Sequence, residues 1–262
     1  MTPEHERDLL TFGDVTVEGH LAGSSNATLK VRCDLGSHSA SAVYKPRRGE
    51  RPLWDFPVGS LGHREVAMST LDEILGWGLV PRTVWREEGP YGPGSCQLWV
   101  ETDPDTEAVT VQPEEQVPEG WYAVAQGEGL DGEIVCLAHA DTPALRRMAL
   151  LDVLANNADR KGGHVLVTPE GAVAAIDHGL TFHVDDKLRT VLWGWAGSPL
   201  REDELLDLRQ LADRLPVLEE ALRFNLTELE VLAMIQRLND LLRDGCFPSP
   251  SGAWPALPWP AM

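Results

Sequence analysis

Leu151-Asp152-Val153-Leu154-Ala155-Asn156-Asn157-Ala158-Asp159-Arg160-Lys161-Gly162-Gly163-His164-Val165-Leu166-Val167 sets a dense polar loop, with two glycines, between an apolar helix and an apolar strand. Further on, Ile176-Asp177-His178-Gly179 brings an acid out of the end of a second apolar strand, ahead of a glycine. Both loops leave one hairpin, Val165 to Val167 and Ala172 to Ile176 across Thr168-Pro169-Glu170-Gly171, so their acids can converge. Two carboxylates and one further ligand suit a divalent cation held against phosphate. Hard cations take oxygen ligands, and Mg²⁺ keeps waters and substrate phosphates in its shell. Phosphoryl transfer also needs a base near the acceptor hydroxyl and positive charge on the moving group. The loop offers Asp159 as that base and Arg160 and Lys161 as that charge, with His164 as the further ligand.

Upstream, the pattern is short and β-rich. Val15 and Val17 alternate, Gly23-Ser24-Ser25-Asn26 breaks the chain, and Leu29, Val31 and Cys33 alternate with Thr28, Lys30 and Arg32. A third strand, Ser41 to Lys45, stops at Pro46, which has no amide to donate. Val66, Met68, Leu71, Ile74 and Leu75 fall at helical spacing between Leu61 and Gly76, a glycine suited to cap the helix. Strands are expected at Thr83 to Trp85 and Gln97 to Val100, around a Gly/Pro-rich turn. A β-rich lobe over residues 1–101 follows. Thr102 to Glu119, acidic and proline-containing, reads as a linker, and residues 102–262 as a mainly helical lobe with helices at Thr142 to Asn156 and within Arg201 to Arg243. From about residue 247, five prolines exclude a helix or a central strand. This tail carries Trp254 and Trp259 and is expected to pack back on the second lobe.

The chain has 262 residues, 43% of them hydrophobic, enough for two lobes around a shared cleft. Its 41 acidic against 22 basic residues give a net charge of −19, which repels phosphate backbones and anionic lipid, so neither nucleic acid nor a stable membrane association is expected. The first ten residues mix acids and bases without the apolar stretch of a signal peptide, and a cytoplasmic protein is expected. Cys33, Cys96, Cys136 and Cys246 are far apart and read as reduced thiols in a core.

Asp159-Arg160, His164 five residues after the acid, and Asp177-His178-Gly179 together resemble the catalytic and metal loops of the protein-kinase-like superfamily, with phosphatidylinositol 3- and 4-kinases as the nearest likeness. The chain also resembles an actinobacterial kinase-like group over nearly its whole length. The resemblance implies an α+β, bilobal protein-kinase-like fold. It makes Asp159 the catalytic acid, Asp177 and His164 the ligands of Mg²⁺ or Mn²⁺, and Ala42-Val43-Tyr44-Lys45 the strand whose lysine holds the phosphates of ATP. Glu65 then orients Lys45. Leu21 to Thr28 becomes the loop over the phosphates, with the amides of Ser24, Ser25 and Asn26 as donors. Gln97-Leu98-Trp99-Val100-Glu101 stands where such enzymes hold adenine, which assigns Gln97, Trp99 and Val100 to the base.

Two departures matter. His164 replaces the usual asparagine, a softer ligand that favours Mn²⁺, and His178 replaces the hydrophobic residue of the metal triplet. Taken singly, Lys45 and Glu65 read as a surface ion pair, Asp159 as a helix-end turn residue and His164 as a strand-edge histidine. Their order along the chain is what one cleft requires. The function this implies is transfer of the γ-phosphate of ATP to a hydroxyl acceptor of unknown identity. Its rivals are a nucleotide-binding pseudokinase, an enzyme of the same fold that transfers AMP, and a metal-dependent hydrolase built on His164, Asp159 and Asp177.

Overall fold

The computed structural model describes residues 2–21, 27–129 and 132–262. Thr2 caps helix α1 (Pro3–Phe12), its hydroxyl oxygen accepting the His5 amide at 3.3 Å, and Pro3 sits where no intrahelical donor is needed. The mixed charges of this segment concealed the helix; its two inward anchors, Leu9 and Leu10, are wholly buried. Strands β1 (Asp14–His20), β2 (Leu29–Leu35) and β3 (His38–Pro46) follow, then helix α2 (Leu61–Leu75), β4 (Thr83–Arg86) and β5 (Gly94–Leu98). The strands form one antiparallel sheet in the order β1-β2-β3-β5-β4, with Pro46 opposite Gly94 at the end of its ladder. Leu9 and Leu10 pack on Leu29, Val31, Cys33, Ala42, Tyr44 and Cys96 to make a small core. Cys33 and Cys96 meet as free thiols at 4.0 Å, within S–H···S hydrogen-bond reach and with no disulfide between them. On α2, Gly76 takes φ +73°, the left-handed cap that a residue without Cβ accepts freely.

The acidic segment after Glu101 is more than a linker. It contains β6 (Val109–Pro113), which pairs with β8 (Ile134–Ala140), itself paired with β7 (Trp121–Glu128), in a second antiparallel sheet ordered β6-β8-β7. Acidic and proline residues surround only three buried residues, Ala108, Val109 and Thr110, so composition favoured a loop. The hydrogen-bonding partner lies some way along the chain, at Leu137 to His139. The rest of the molecule is largely helical: α3 (Pro143–Leu154), the hairpin β9 (Val165–Val167) and β10 (Val173–Ala175), α4 (Glu202–Asp213), α5 (Leu215–Leu222) and α6 (Glu228–Asp244). Thr142 caps α3, and Thr227 with Glu230 forms a reciprocal capping box on α6. The principal core runs from α2 through the second sheet and α3 to Leu208, Leu218, Met234, Leu238 and Trp195.

One buried link fixes the β-rich lobe on the helices. Arg64 of α2 donates to the Glu230 carboxylate of α6 and to the Thr181 carbonyl. Removing one member of such a pair strands the other's charge, so this link is costly to cut. The proline-rich tail lies back on the helical part: the Gly197 amide donates to Phe247 O at 3.1 Å and the Trp193 indole to Ala256 O at 2.8 Å. Among the described residues, no helix is long and apolar enough to cross a membrane.

Candidate functional site

A cleft of about 310 Å³ opens between β3, α2 and the two loops of the hairpin, and its lining brings together Lys45, Glu65, Asp159 and Asp177. β3 delivers Lys45 at its end, just before Pro46 terminates the ladder. Lys45 Nζ lies 2.5 Å from Glu65 Oε1 and 3.0 Å from Asp177 Oδ1. Burial alone would lower the lysine's pKa, but the Glu65 and Asp177 carboxylates reverse that and hold it above the ordinary lysine value. The same burial pushes the Glu65 carboxyl up against the pull of Lys45. Glu65 also accepts from the Ser95 hydroxyl at 3.3 Å, which fixes it under the sheet.

Asp177 occupies the left-handed region at φ +59°, a strained conformation that aspartate tolerates better than most residues and that marks functional turns. The turn aims its carboxylate at two groups: Lys45, and His164, whose Nε2 is 3.4 Å from Asp177 Oδ2. Lys45 is the main reason the Asp177 carboxyl sits well below the usual range, with His164 adding to it. Burial pushes His164 down to about 4, so its ring is neutral near pH 7. The Lys161 amide points at His164 Nδ1 from 3.5 Å, and Nε2 is the ring nitrogen turned to the Asp177 carboxylate. Among the described residues, no three His, Cys, Asp or Glu side chains form a closed metal cage. An ionised carboxylate beside a neutral imidazole nevertheless fits a divalent cation that completes its shell with water and phosphate oxygens.

Asp159 is held by its own loop. Its amide donates to Asn157 Oδ1 at 3.0 Å and its Oδ2 lies 3.2 Å from Lys161 Nζ. Burial raises its pKa, and Lys161 and Arg189 moderate the rise. Lys161 thus faces the same side as Asp159. Arg160 does not: its side chain is 0% exposed and turned beneath the loops, so it is not the surface charge on phosphate that its sequence position suggests. Its Nε and Nη2 donate to Asp152, its Nη1 to the Ile176 carbonyl at 3.0 Å, and its Nη2 to His178 Nε2 at 2.8 Å. That last contact makes Nε2 of His178 an acceptor, and burial followed by the Arg160 charge keeps the imidazole neutral. The second histidine therefore links the loop of Asp159 to the Asp177-His178-Gly179 turn from behind.

Asp152 is the residue that sequence reasoning passed over. Wholly buried on α3 among Leu150, Leu151 and Leu154, it accepts from Arg160, from Asn157 Nδ2 at 2.9 Å and from the Thr190 hydroxyl at 3.0 Å. An acid set in an apolar helix eight residues before an arginine was the available signal. Glu50 was also missed. Its carboxylate accepts the Leu61 and Gly62 amides at 3.3 and 3.0 Å, capping α2 from inside the cleft, where Arg51 lies beside it.

On the nucleotide side the placement is mixed. Ser24, Ser25 and Asn26 lie outside the described residues, although Ala27, next in the chain, lines the cleft. The Gln97 side chain is buried and donates to the Thr83 hydroxyl at 2.8 Å, while its backbone sits between Val43 and Thr83 in the sheet. The Trp99 amide donates to Ser41 O at 3.0 Å and its ring lies under Lys30 Nζ at 4.2 Å. The structure does not bring Gln97, Trp99 or Val100 into the cleft lining that holds Lys45 and Asp177.

No protein-family model matches the chain. Among solved structures it superposes on a hydra Fam20 solved with sugar, with a TM-score of 0.54 at 16% identity, covering 90% of this chain and 86% of that one. A proinflammatory kinase of Helicobacter pylori, CtkA, aligns with a TM-score of 0.48 at 13% identity, over 90% of this chain and 94% of that one. The fold is α+β, a β-sheet-rich lobe set on helices, and resembles that of the hydra Fam20. Protein Rv2133c of Mycobacterium tuberculosis is 44% identical over 269 residues, covering 99% of this chain and 96% of that protein. The chain belongs to the family of Rv2133c.

Proposed function

We propose that the protein is an ATP- and divalent-metal-dependent phosphotransferase that moves the γ-phosphate of ATP to a hydroxyl acceptor, with the cleft lying between a lobe ending near Glu101 and the rest of the chain. The observation that carries this reading is the convergence of Lys45, Glu65, Asp159 and Asp177 in one cleft, with His164 Nε2 3.4 Å from Asp177. Lys45, held charged by two carboxylates, would contact phosphate oxygens, and Glu65 would keep it aimed. Asp177 and His164 would hold Mg²⁺ or Mn²⁺, which supplies positive charge against the phosphates. Asp159, with its pKa raised by burial, would orient the acceptor hydroxyl and take its proton as the new O–P bond forms and ADP leaves with the β–γ bridging oxygen. Lys161, paired with Asp159, would face the moving phosphoryl group, while Arg160 would set the loop through Asp152 and His178. Placing adenine near Gln97, Trp99 and Val100, and the phosphates under Ser24, Ser25 and Asn26, rests on sequence position. So does the likeness to phosphatidylinositol 3- and 4-kinases.

Purified protein incubated with ATP labelled at the α or the γ position, with Mg²⁺ or Mn²⁺, tests the reaction. Metal-dependent ADP formation that disappears in Lys45→Met and in Asp159→Asn is expected. Transfer of α label with release of pyrophosphate would replace phosphoryl transfer by AMP transfer. Tight nucleotide binding without any turnover would replace it by a pseudokinase.

A further inference from the structure

The proline-rich tail touches the catalytic loop itself. The Gly162 amide, between Lys161 and His164, donates to Ala261 O at 2.8 Å. Met262 packs on the same glycine so closely that a Cβ at position 162 would lie 2.3 Å from Met262 Sδ and 2.8 Å from its Cε. At Gly163 the nearest atom of Met262 is 3.9 Å away, so the demand for a bare backbone falls on Gly162. Further along the tail, Ala256 O accepts the Thr190 amide at 3.2 Å and the Trp193 indole at 2.8 Å. The Trp254 ring meets Lys187 Nζ at 4.8 Å and Arg189 Cζ at 5.3 Å. Arg189 in turn brackets the loop, its amide donating to Asn157 O at 2.8 Å and its carbonyl accepting the Arg160 amide at 3.0 Å. The tail therefore fixes both flanks of residues 157–164, while Pro258, Leu257 and Ala261 anchor it on the core.

We propose that residues 254–262 form a strap that positions the catalytic loop, with Ala261 and Met262 acting through Gly162 on Lys161 and His164. The proposal deepens the phosphotransferase reading and rests on it for its kinetic consequence. The three prolines of this segment, Pro255, Pro258 and Pro260, suit this role: fixed φ values hold an extended strap with little conformational freedom left to lose on docking. The strap bears on Lys161 and on the proposed metal ligand His164, so disturbing it should slow the transfer step and loosen metal-dependent nucleotide binding.

The test is a double-mutant cycle in the full chain, read as metal-dependent ADP formation. Gly162→Ala must displace the flexible, exposed end of the Met262 side chain and should lower kcat about threefold, any rise in KM for ATP coming through His164, and adding Met262→Ala should recover most of the loss. An unchanged kcat in Gly162→Ala, or a loss that Met262→Ala does not relieve, overturns the strap. Hydrogen exchange of amides 157–164 gives a readout independent of chemistry. In the chain ending at residue 253 these amides should exchange at least tenfold faster, and a synthetic peptide of residues 247–262 should slow them again. Unchanged exchange on truncation also overturns the strap. If the intact chain shows no turnover while exchange responds to the peptide, the phosphotransferase reading fails and the strap stands. Should the shortened chain not fold, the Gly162 and Met262 cycle decides.

Discussion

The two walls of the cleft hold their charges in different ways. On the β-rich wall, Lys45 and Glu65 pair directly across the space they line, each on a rigid element. On the opposite wall, Asp159 and Asp177, with His164 behind Asp177, sit on loops whose shape is set by Asp152, Arg160 and His178, none of which reaches the cleft lining. One wall carries its own support, whereas the other depends on a buried polar network. Such networks are costly when half satisfied, so the two walls should fail differently when cut.

The sharpest way to expose that difference is Asp152→Ala, which leaves Arg160 buried and without its carboxylate. Loss of about 3–5 kcal/mol of folding stability is expected from denaturant unfolding. Lys45→Met on the other wall should cost about 1–2 kcal/mol, because Glu65 can take up a proton and keep its Ser95 hydrogen bond. Equal losses on the two sides would erase the contrast.

Within the loop-built wall, Asp159→Asn separates shape from chemistry. The amide keeps the size of the side chain but cannot accept the hydroxyl proton, so kcat should fall by about 10²–10⁴-fold with nucleotide affinity unchanged within about threefold. Loss of affinity together with kcat would instead make Asp159 part of the loop's scaffold.

A smaller effect comes from α2, on the better-supported side. Burial pushes the Asp72 carboxyl up to about 6, although its Oδ2 accepts the Val80 amide at 3.0 Å. A carboxyl whose folded pKa lies above the unfolded value of about 3.9 stabilises the fold below that value, and the benefit is lost as pH rises through about 6. Between pH 4 and pH 7 the wild-type chain should lose about 1–3 kcal/mol from this group relative to Asp72→Asn. Thermal unfolding of both proteins across that range measures it, and parallel curves would contradict the assignment.

The same asymmetry explains how much of the molecule could be read from its residues. Asp159, His164 and Asp177 stood out because each is a polar residue at the edge of a regular apolar pattern, whereas Lys45 and Glu65 followed from the family resemblance, in an order that one cleft requires. Arg160 was placed in the right loop and given the wrong direction: which way a loop side chain points depends on Asp152, whose carboxylate looks like an ordinary helix residue until its three donors are in view. The helices after α1 and the first sheet followed from local periodicity and capping. The second sheet did not, since β6 is a short, half-exposed strand in acidic surroundings and owes its existence to β8, more than twenty residues away. Helix α1 was hidden for a related reason, having only two buried side chains to announce it.

Calorimetric titration of ATP into the full chain and into Asp177→Asn, each with Mg²⁺, with Mn²⁺ and with neither, addresses the cleft as a metal-nucleotide site. One site per chain is expected, with affinity that depends on the metal in the wild type and loses that dependence in Asp177→Asn. Binding that is equally tight without metal, or unaltered by Asp177→Asn, would contradict the placement of metal and nucleotide between Lys45 and Asp177.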